Sequence, residues 1–206
     1  MKIEELESFG SHDPESKQQI RKRQEFEKLK GLLKGKDCII EKMTEDGNCL
    51  YRAVARQIYG DQELYQRVRD ETVDYIILHR GYFASFETDI DVRLSKQLVN
   101  RSWGGNLEIE AISELYNVGI LVWELSKKGE LITPFDNTPL AASKGLKNLY
   151  LSRHRGIHFN SVIFKNQKLP LGGNKELRSG MRDARGSFFD SLSKESYISS
   201  IAFADI

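Results

Sequence analysis

The sequence predicts a mixed protein, an α+β or α/β layer structure in which helices cover a small sheet. Apolar residues recur at helical spacing in the first half of the chain, whereas the second half contains short apolar runs that are typical of strands. The chain has 206 residues, of which 39% are hydrophobic, so it is long enough and apolar enough to fold around a core of its own.

The first elements are a flexible N-terminal segment over residues 1–14 and a helix over residues 15–36. Phe26, Leu29 and Leu33 share one face of this helix. Residues 17–36 contain eight Lys or Arg and two Glu, a local charge of +6. We interpret this run as a solvated helix face in preference to an electrostatic binding patch.

A short strand over residues 37–43 and a turn over residues 44–48 lead into a second helix. This helix begins at Cys49, ends at Gly60 and has a buried face made of Leu50, Ala53, Val54, Gln57 and Ile58. Three further helices are expected around residues 65–76, 90–98 and 109–116, and strands at 119–125, 130–134, 149–153 and 157–164. Residues 165–206 form a Ser-rich tail, and the sequence leaves its order open.

Charge and cysteine content narrow the functional classes. Lys and Arg number 31 against 30 Asp and Glu, so net charge favours neither a nucleic-acid nor a membrane partner. No apolar run approaches the length of a membrane span, and the acidic N-terminus is unlike a signal peptide. The two cysteines, Cys38 and Cys49, form no disulfide framework, so we expect a reducing, cytoplasmic environment.

Cys49 is the candidate nucleophile because it lies at the start of a helix, directly after a turn. The first helical turn presents unpaired N–H groups and the positive end of the helix dipole, both of which favour a thiolate. The same N–H groups, with those of the turn, are suited to hold an oxyanion. Cys38 lies in a strand-like run without such a turn, and we interpret it as a packing residue.

A cysteine nucleophile needs a base, and His158 is the candidate because a strand holds it rigidly. In a strand His158 and Asn160 point to the same face, so Asn160 is placed to orient the imidazole. Asp46 is the other candidate for that third role, and its charge would stabilise an imidazolium.

Three segments in order resemble the motifs of the ovarian-tumour (OTU) family of cysteine deubiquitinases. They are Asp-Gly-Asn-Cys-Leu-Tyr-Arg-Ala at 46–53, Trp-Gly-Gly-Asn at 103–106 with the helix that follows, and His-Phe-Asn-Ser-Val at 158–162. The resemblance covers roughly residues 38–164 and implies an α+β, papain-like fold with a small, mostly antiparallel sheet packed between helices. It also implies a catalytic domain over 37–164 that hydrolyses the bond after the C-terminal Gly-Gly of ubiquitin without metal or cofactor.

By this resemblance Cys49 is the nucleophile and His158 the base. Family members differ over the third residue, and because position 160 is an amide, Asp46 is favoured for the acidic role with Asn160 assisting. The substrate-binding candidates are Gly47, Asn48, Trp103, Gly104, Gly105, Asn106 and Glu108. Trp103 is equally suited to packing, and Glu108 and Glu110 are as well explained as acids at a helix start.

Other functions stay open at this stage. One is a ubiquitin-binding module with little turnover, and another is a cysteine peptidase for a different ubiquitin-like modifier or a linear peptide. A nucleic-acid role rests only on the basic 17–36 helix and is not expected. Nothing in the sequence determines linkage preference, oligomeric state or source, and a protein of an intracellular microbe would act in the host cytosol.

Overall fold

A computed structural model describes residues 16–99, 101–136 and 147–169. Its α-helices, in chain order, are α1 (Lys17–Lys34), α2 (Cys49–Tyr59), α3 (Tyr65–Leu78), α4 (Arg80–Phe83), α5 (Ile90–Leu98) and α6 (Asn106–Tyr116). The strands are β1 (Cys38–Glu41), β2 (Gly119–Leu125), β3 (Leu131–Asp136), β4 (Asn148–His154) and β5 (His158–Phe164). The predicted N-terminal segment 1–14 and nearly all of the predicted tail lie outside the described residues.

The five strands form one sheet in the order β1-β5-β4-β2-β3. Three of the four neighbouring pairs are antiparallel, and only β2 and β4 run parallel. Helices precede most of the sheet in the chain, so the prediction of an α+β protein with a small, mostly antiparallel sheet is confirmed.

Each face of the sheet carries its own apolar cluster because successive strand residues point to opposite faces. Helices α2 and α6 pack on one face against side chains that include Leu149, Leu151 and Phe159. Helix α1 packs on the other face, where its Leu29 and Leu33 are fully buried beside Cys38 and Val162. The sheet therefore lies between helices, and Cys38 has the packing role that the sequence predicted.

Local sequence explains where the helices nearest the cleft begin and end. Ser16 caps α1 in a capping box, accepting from the Gln19 N–H while its own N–H donates to the Gln19 side chain. Helix α2 ends at Gly60, which has φ of 81° and occupies the left-handed conformation expected of a helix-ending glycine.

Candidate active site

Cys49 is the first residue of α2, and its sulfur contacts the backbone on both sides of His158. The Phe159 N–H donates to Sγ over 3.4 Å, and the Ile157 carbonyl oxygen lies 4.0 Å from Sγ. Residues 109 positions apart in the sequence are thus neighbours in the fold. The sequence prediction that Cys49 and His158 share one site agrees with these contacts.

The turn between β4 and β5 brings His158 to this position. Arg155 and Gly156 both have positive φ, and the Ile157 N–H donates to the His154 carbonyl, as in the tight turns that match strand twist. His158 is therefore the first residue of β5 and lies opposite His154, with which it pairs in register.

Asn160 holds the His158 ring. Its Oδ1 lies 3.1 Å from His158 Nε2 and also accepts a hydrogen bond from the Met43 N–H at 2.8 Å. A backbone N–H can only donate, so the Asn160 atom at this point must be the oxygen, and Nε2 must carry a proton to donate to it. The other ring nitrogen, Nδ1, then keeps the lone pair that a general base needs.

Asp46 has different partners. Its carboxylate accepts from Arg52 Nε and Nη2, at 3.0 and 2.7 Å, and from the Asn48 N–H at 2.9 Å. Burial raises the pKa of Asp46, but these hydrogen bonds outweigh burial and the pKa is lowered overall. Asp46 stays ionised and favours a charged His158 through its field, whereas the ring contact belongs to Asn160. The sequence favoured Asp46 as the residue that orients His158. The hydrogen bonds favour Asn160 for that role.

Burial shifts the pKa values of Cys49 and His158 toward the neutral form of each group. Burial raises the pKa of the Cys49 thiol, and the N–H groups of Phe159 and Leu50 only partly oppose it. This direction differs from the expectation that the helix start favours a Cys49 thiolate, because Cys49 is only 5% exposed and its thiol loses hydration. Burial likewise lowers the pKa of His158, against the opposing field of Glu45.

A cleft of about 480 Å³ opens over these residues. Gly47, Cys49, Trp103, His158 and Asn160 line it. The N-terminal helix forms another wall through residues that include Lys22 and Phe26. Trp103 is 52% exposed, so it is placed on the cleft rim and not in the core.

The other predicted substrate-binding residues divide into two groups. Asn106 is exposed and Gly104 and Gly105 are half-buried, and all three remain candidates. Asn48 is 1% exposed, and its Oδ1 accepts from Arg69, so its side chain serves the protein interior. The expectation of direct substrate contact therefore does not fit the Asn48 side chain.

Glu108 also departs from its expected role. It is fully buried, it forms a two-pronged ion pair with Arg93, and it accepts the Gly105 N–H at 2.6 Å as a helix cap. Both carboxylate oxygens are thus engaged within the chain, and a substrate arginine would have to displace Arg93. Glu110 is bound by the Tyr82 hydroxyl at 2.6 Å.

Both the backbone conformation and the packing at position 47 require a glycine. Its φ is 85°, and a Cβ at this position would lie 2.0 Å from the Arg101 carbonyl oxygen. The absence of a side chain at Gly47 thus allows the loop that carries Trp103 to approach closely. This contact joins the cysteine segment to the loop of Trp103, which lines the cleft.

The residues in and beneath the site that the sequence interpretation missed include His154 and Arg69. His154 is buried in the cleft wall, its Nε2 lies 3.1 Å from the Ser152 hydroxyl, and burial lowers its pKa to about 4. Arg69 is buried beneath the cysteine segment. Arg69 shares one face of α3 with Thr72 and Ile76, three and seven residues later. This helical spacing is the sequence signal that predicts its burial.

Comparison with known proteins agrees with this geometry. The family model described as OTU-like cysteine protease matches residues 44–159, which include every residue of the cysteine and histidine segments up to Phe159. Human OTU domain-containing protein 5 is 34% identical over 139 residues, 67% of this chain and 24% of that protein. OVARIAN TUMOR DOMAIN-containing deubiquitinating enzyme 6 of Arabidopsis thaliana is 38% identical over 125 residues, 60% of this chain and 24% of that protein.

A solved structure shares the fold. The OTU domain of OTUD1 superposes with a TM-score of 0.64 and 27% sequence identity, covering 71% of this chain and 99% of that one. The chain spans about a quarter of the length of the two curated relatives above. A match over more than half of the chain, with the cysteine and histidine segments brought together, means that this protein belongs to the OTU family of cysteine proteases.

Proposed function

We propose that this domain is a deubiquitinase, a thiol-dependent isopeptidase that hydrolyses the bond after the C-terminal Gly-Gly of ubiquitin. The observation that carries the proposal is the held histidine: Asn160 Oδ1, which also accepts the Met43 N–H, engages Nε2 and leaves Nδ1 of His158 as the base, in the cleft that Cys49 also lines. The name of the Arabidopsis relative, a deubiquitinating enzyme, supports ubiquitin as the substrate.

In the first step His158 Nδ1 takes the proton of Cys49 as the sulfur attacks the carbonyl carbon of the terminal glycine. The tetrahedral oxyanion is held by backbone N–H groups at the start of α2. Because the Asn48 N–H donates to Asp46, we assign this role to the N–H groups of Gly47 and Cys49.

In the second step the tetrahedral intermediate collapses, and the bond to the lysine nitrogen breaks as His158 gives that nitrogen its proton. A thioester between Cys49 and ubiquitin remains. Water, deprotonated by the same imidazole, then attacks the thioester and releases ubiquitin and the thiol. The negative fields of Glu45 and Asp46 both favour the imidazolium that forms transiently.

We propose the cytosol as the place of action. Both cysteines are buried and free, as suits a reducing compartment. In the described ranges no helix is long and apolar enough to cross a membrane.

Linkage-defined di-ubiquitins test the proposed reaction. The unmodified protein and Cys38→Ala are expected to cleave at least one linkage, and Cys49→Ala is expected to cleave none. Cys38 is a matched control because it is as deeply buried as Cys49 but packs on the far face of the sheet. Binding without cleavage by the unmodified protein would indicate a ubiquitin-binding module, and neither binding nor cleavage would indicate another modifier.

A further inference from the structure

Arg69 is a charged side chain in the interior, directly beneath the cysteine segment. It lies on α3, is 1% exposed and does not line the cleft. Its guanidinium stacks over the Tyr51 ring with 4.4 Å between Cζ and the ring centroid. Burial lowers its pKa, but an arginine this basic stays charged.

The hydrogen bonds of Arg69 reach three separate segments of the chain. Nε and Nη2 donate to Asn48 Oδ1 at 3.1 and 2.9 Å, and Nη2 also approaches the Gly47 carbonyl. Nη1 donates to the backbone and side-chain oxygens of Gln97, both at 2.9 Å, and Nη2 donates to the Ser102 carbonyl. These acceptors are all neutral oxygens of the cysteine segment, the end of α5 and the Trp103 loop.

Gln97 extends the network to the cleft rim. Its Nε2 donates to the Trp103 carbonyl at 2.8 Å, and its Oε1 also accepts from the Tyr51 hydroxyl at 2.9 Å. Tyr51 belongs to the catalytic helix α2. The Arg69 guanidinium and the Gln97 amide therefore hold the backbone next to the nucleophile against the Trp103 loop.

A contribution to folding stability does not by itself explain why the chain buries the Arg69 guanidinium. A buried guanidinium loses its hydration, and apolar side chains of similar volume often stabilise an interior as well or better. The rigid fork of five N–H donors instead sets the relative positions of the segments that it binds. Such precision matters for catalysis because a misplacement of about 1 Å can cost about 100-fold in rate.

We propose that Arg69 is a positioning residue for the reaction: it holds the Gly47–Asn48 backbone and the Trp103 loop so that Cys49 and its neighbouring N–H groups meet the substrate carbonyl. The inference rests on the proposed function of Cys49. It adds a residue that touches neither substrate nor sulfur but acts through Asn48, Gln97 and Ser102.

The test compares Arg69→Lys with two matched variants in a Cys38→Ala background, where Cys49 is the only thiol. Lysine keeps the charge but loses the fork. Arg67→Met removes a half-exposed arginine from the same helix. Leu33→Ala weakens the apolar cluster on the other face of the sheet. Urea unfolding, hydrolysis of a fluorogenic ubiquitin C-terminal amide and alkylation of Cys49 by iodoacetamide are measured for each.

For folded Arg69→Lys we expect kcat to fall about 10- to 100-fold with KM changed less than about threefold. Alkylation at pH 7 should become faster, about tenfold, because a loosened segment exposes a sulfur that is now buried. Arg67→Met should match the parent in the hydrolysis assay and in the alkylation assay. Leu33→Ala should lower stability while leaving kcat unchanged.

The proposal is overturned if folded Arg69→Lys keeps the parent's kcat and alkylation rate, or if Leu33→Ala reproduces both changes. Should Arg69→Lys not fold, Gln97→Met removes the three side-chain hydrogen bonds of Gln97, to Arg69, Tyr51 and Trp103, and is expected to show the same two changes at about threefold. A parent that leaves ubiquitin uncut would refute the proposed substrate only, since the alkylation comparison needs no ubiquitin.

Discussion

At the scale of single residues, hydrogen bonds separate two candidates that the sequence left side by side. Asn160 touches the His158 ring, whereas Asp46 is bound by Arg52, whose side chain is only 7% exposed. Both positions were found from sequence because a strand's two-residue period and a helix-start motif are local properties. Which of them meets the ring depends on where β5 lies beside residue 43, and that is a tertiary property.

Replacing each candidate gives distinct results. Asn160→Ala is expected to lower kcat for a ubiquitin amide about 10- to 100-fold, because the ring loses the acceptor that selects its tautomer. Asp46→Asn is expected to lower kcat less than Asn160→Ala but to reduce stability, since it weakens a partly buried ion pair. Steady-state kinetics and urea unfolding of both variants check this order, and a larger kcat loss in Asp46→Asn would contradict it.

The residues that sequence reasoning missed share one property. Arg69, Gln97 and Arg93 are polar side chains that the fold buries or half-buries, and residue type alone predicts exposure for all three. Glu108 shows the same limit, because the sequence placed it at a helix start but its burial against Arg93 depended on packing.

At the scale of elements, α1 contacts the segments that carry the catalytic residues, although the family model begins at residue 44. Lys22 pairs with Glu45 of the cysteine segment at 3.1 Å, and Glu25 accepts the Arg155 N–H of the histidine turn at 3.0 Å. The Phe26 ring lies 5.6 Å from that of His154. The basic face remains largely exposed, so the interpretation of a solvated helix face fits much of its surface.

Two adjacent leucines of α1 test its contribution to stability. Leu33→Ala is expected to lower the free energy of unfolding by about 2–5 kcal/mol, because it opens a cavity under a fully buried side chain. Leu32, which is 39% exposed on the same helix, provides the control, and its alanine variant is expected to cost under about 1 kcal/mol. Equal losses in urea unfolding would show that α1 does not pack as described.

The sequence predicted helices and strands correctly where the apolar pattern extended over many residues. The second helix began at Cys49 as predicted, and the strand at 119–125 matched its expected bounds. The short 3-10 helix Gln62–Leu64 and the four-residue α4 were missed, because neither is long enough to repeat an apolar pattern. The parallel pairing of β2 with β4 is likewise a non-local property that no stretch of sequence encodes by itself.

At the scale of the whole molecule, the buried His154 and the half-buried His158 connect the fold to pH. The pKa of His154 is lowered to about 4 by burial, and that of His158 is lowered for the same reason. Below the unfolded pKa of 6.5 the unfolded chain binds protons that the folded protein excludes, so stability falls with decreasing pH.

The free energy of unfolding is therefore expected to decrease between about pH 6.5 and about pH 4, with His154 contributing up to roughly 3 kcal/mol. Glu45 and Asp46, whose pKa values are lowered, add to the loss in the same direction at the acid end. Urea unfolding across this range checks the slope. His154→Gln, which keeps a hydrogen-bonding group beside Ser152, should flatten it, and an unchanged slope would show that His154 is already charged in the folded protein.

The central claim is that Cys49 attacks the C-terminus of ubiquitin. It is tested most directly by incubating the protein with ubiquitin that carries a thiol-reactive group at its C-terminus, followed by intact-mass measurement and peptide mapping. One adduct on Cys49 is predicted, retained in Cys38→Ala and absent in Cys49→Ala. An adduct on Cys38, or no adduct while iodoacetamide still modifies Cys49, would contradict the account.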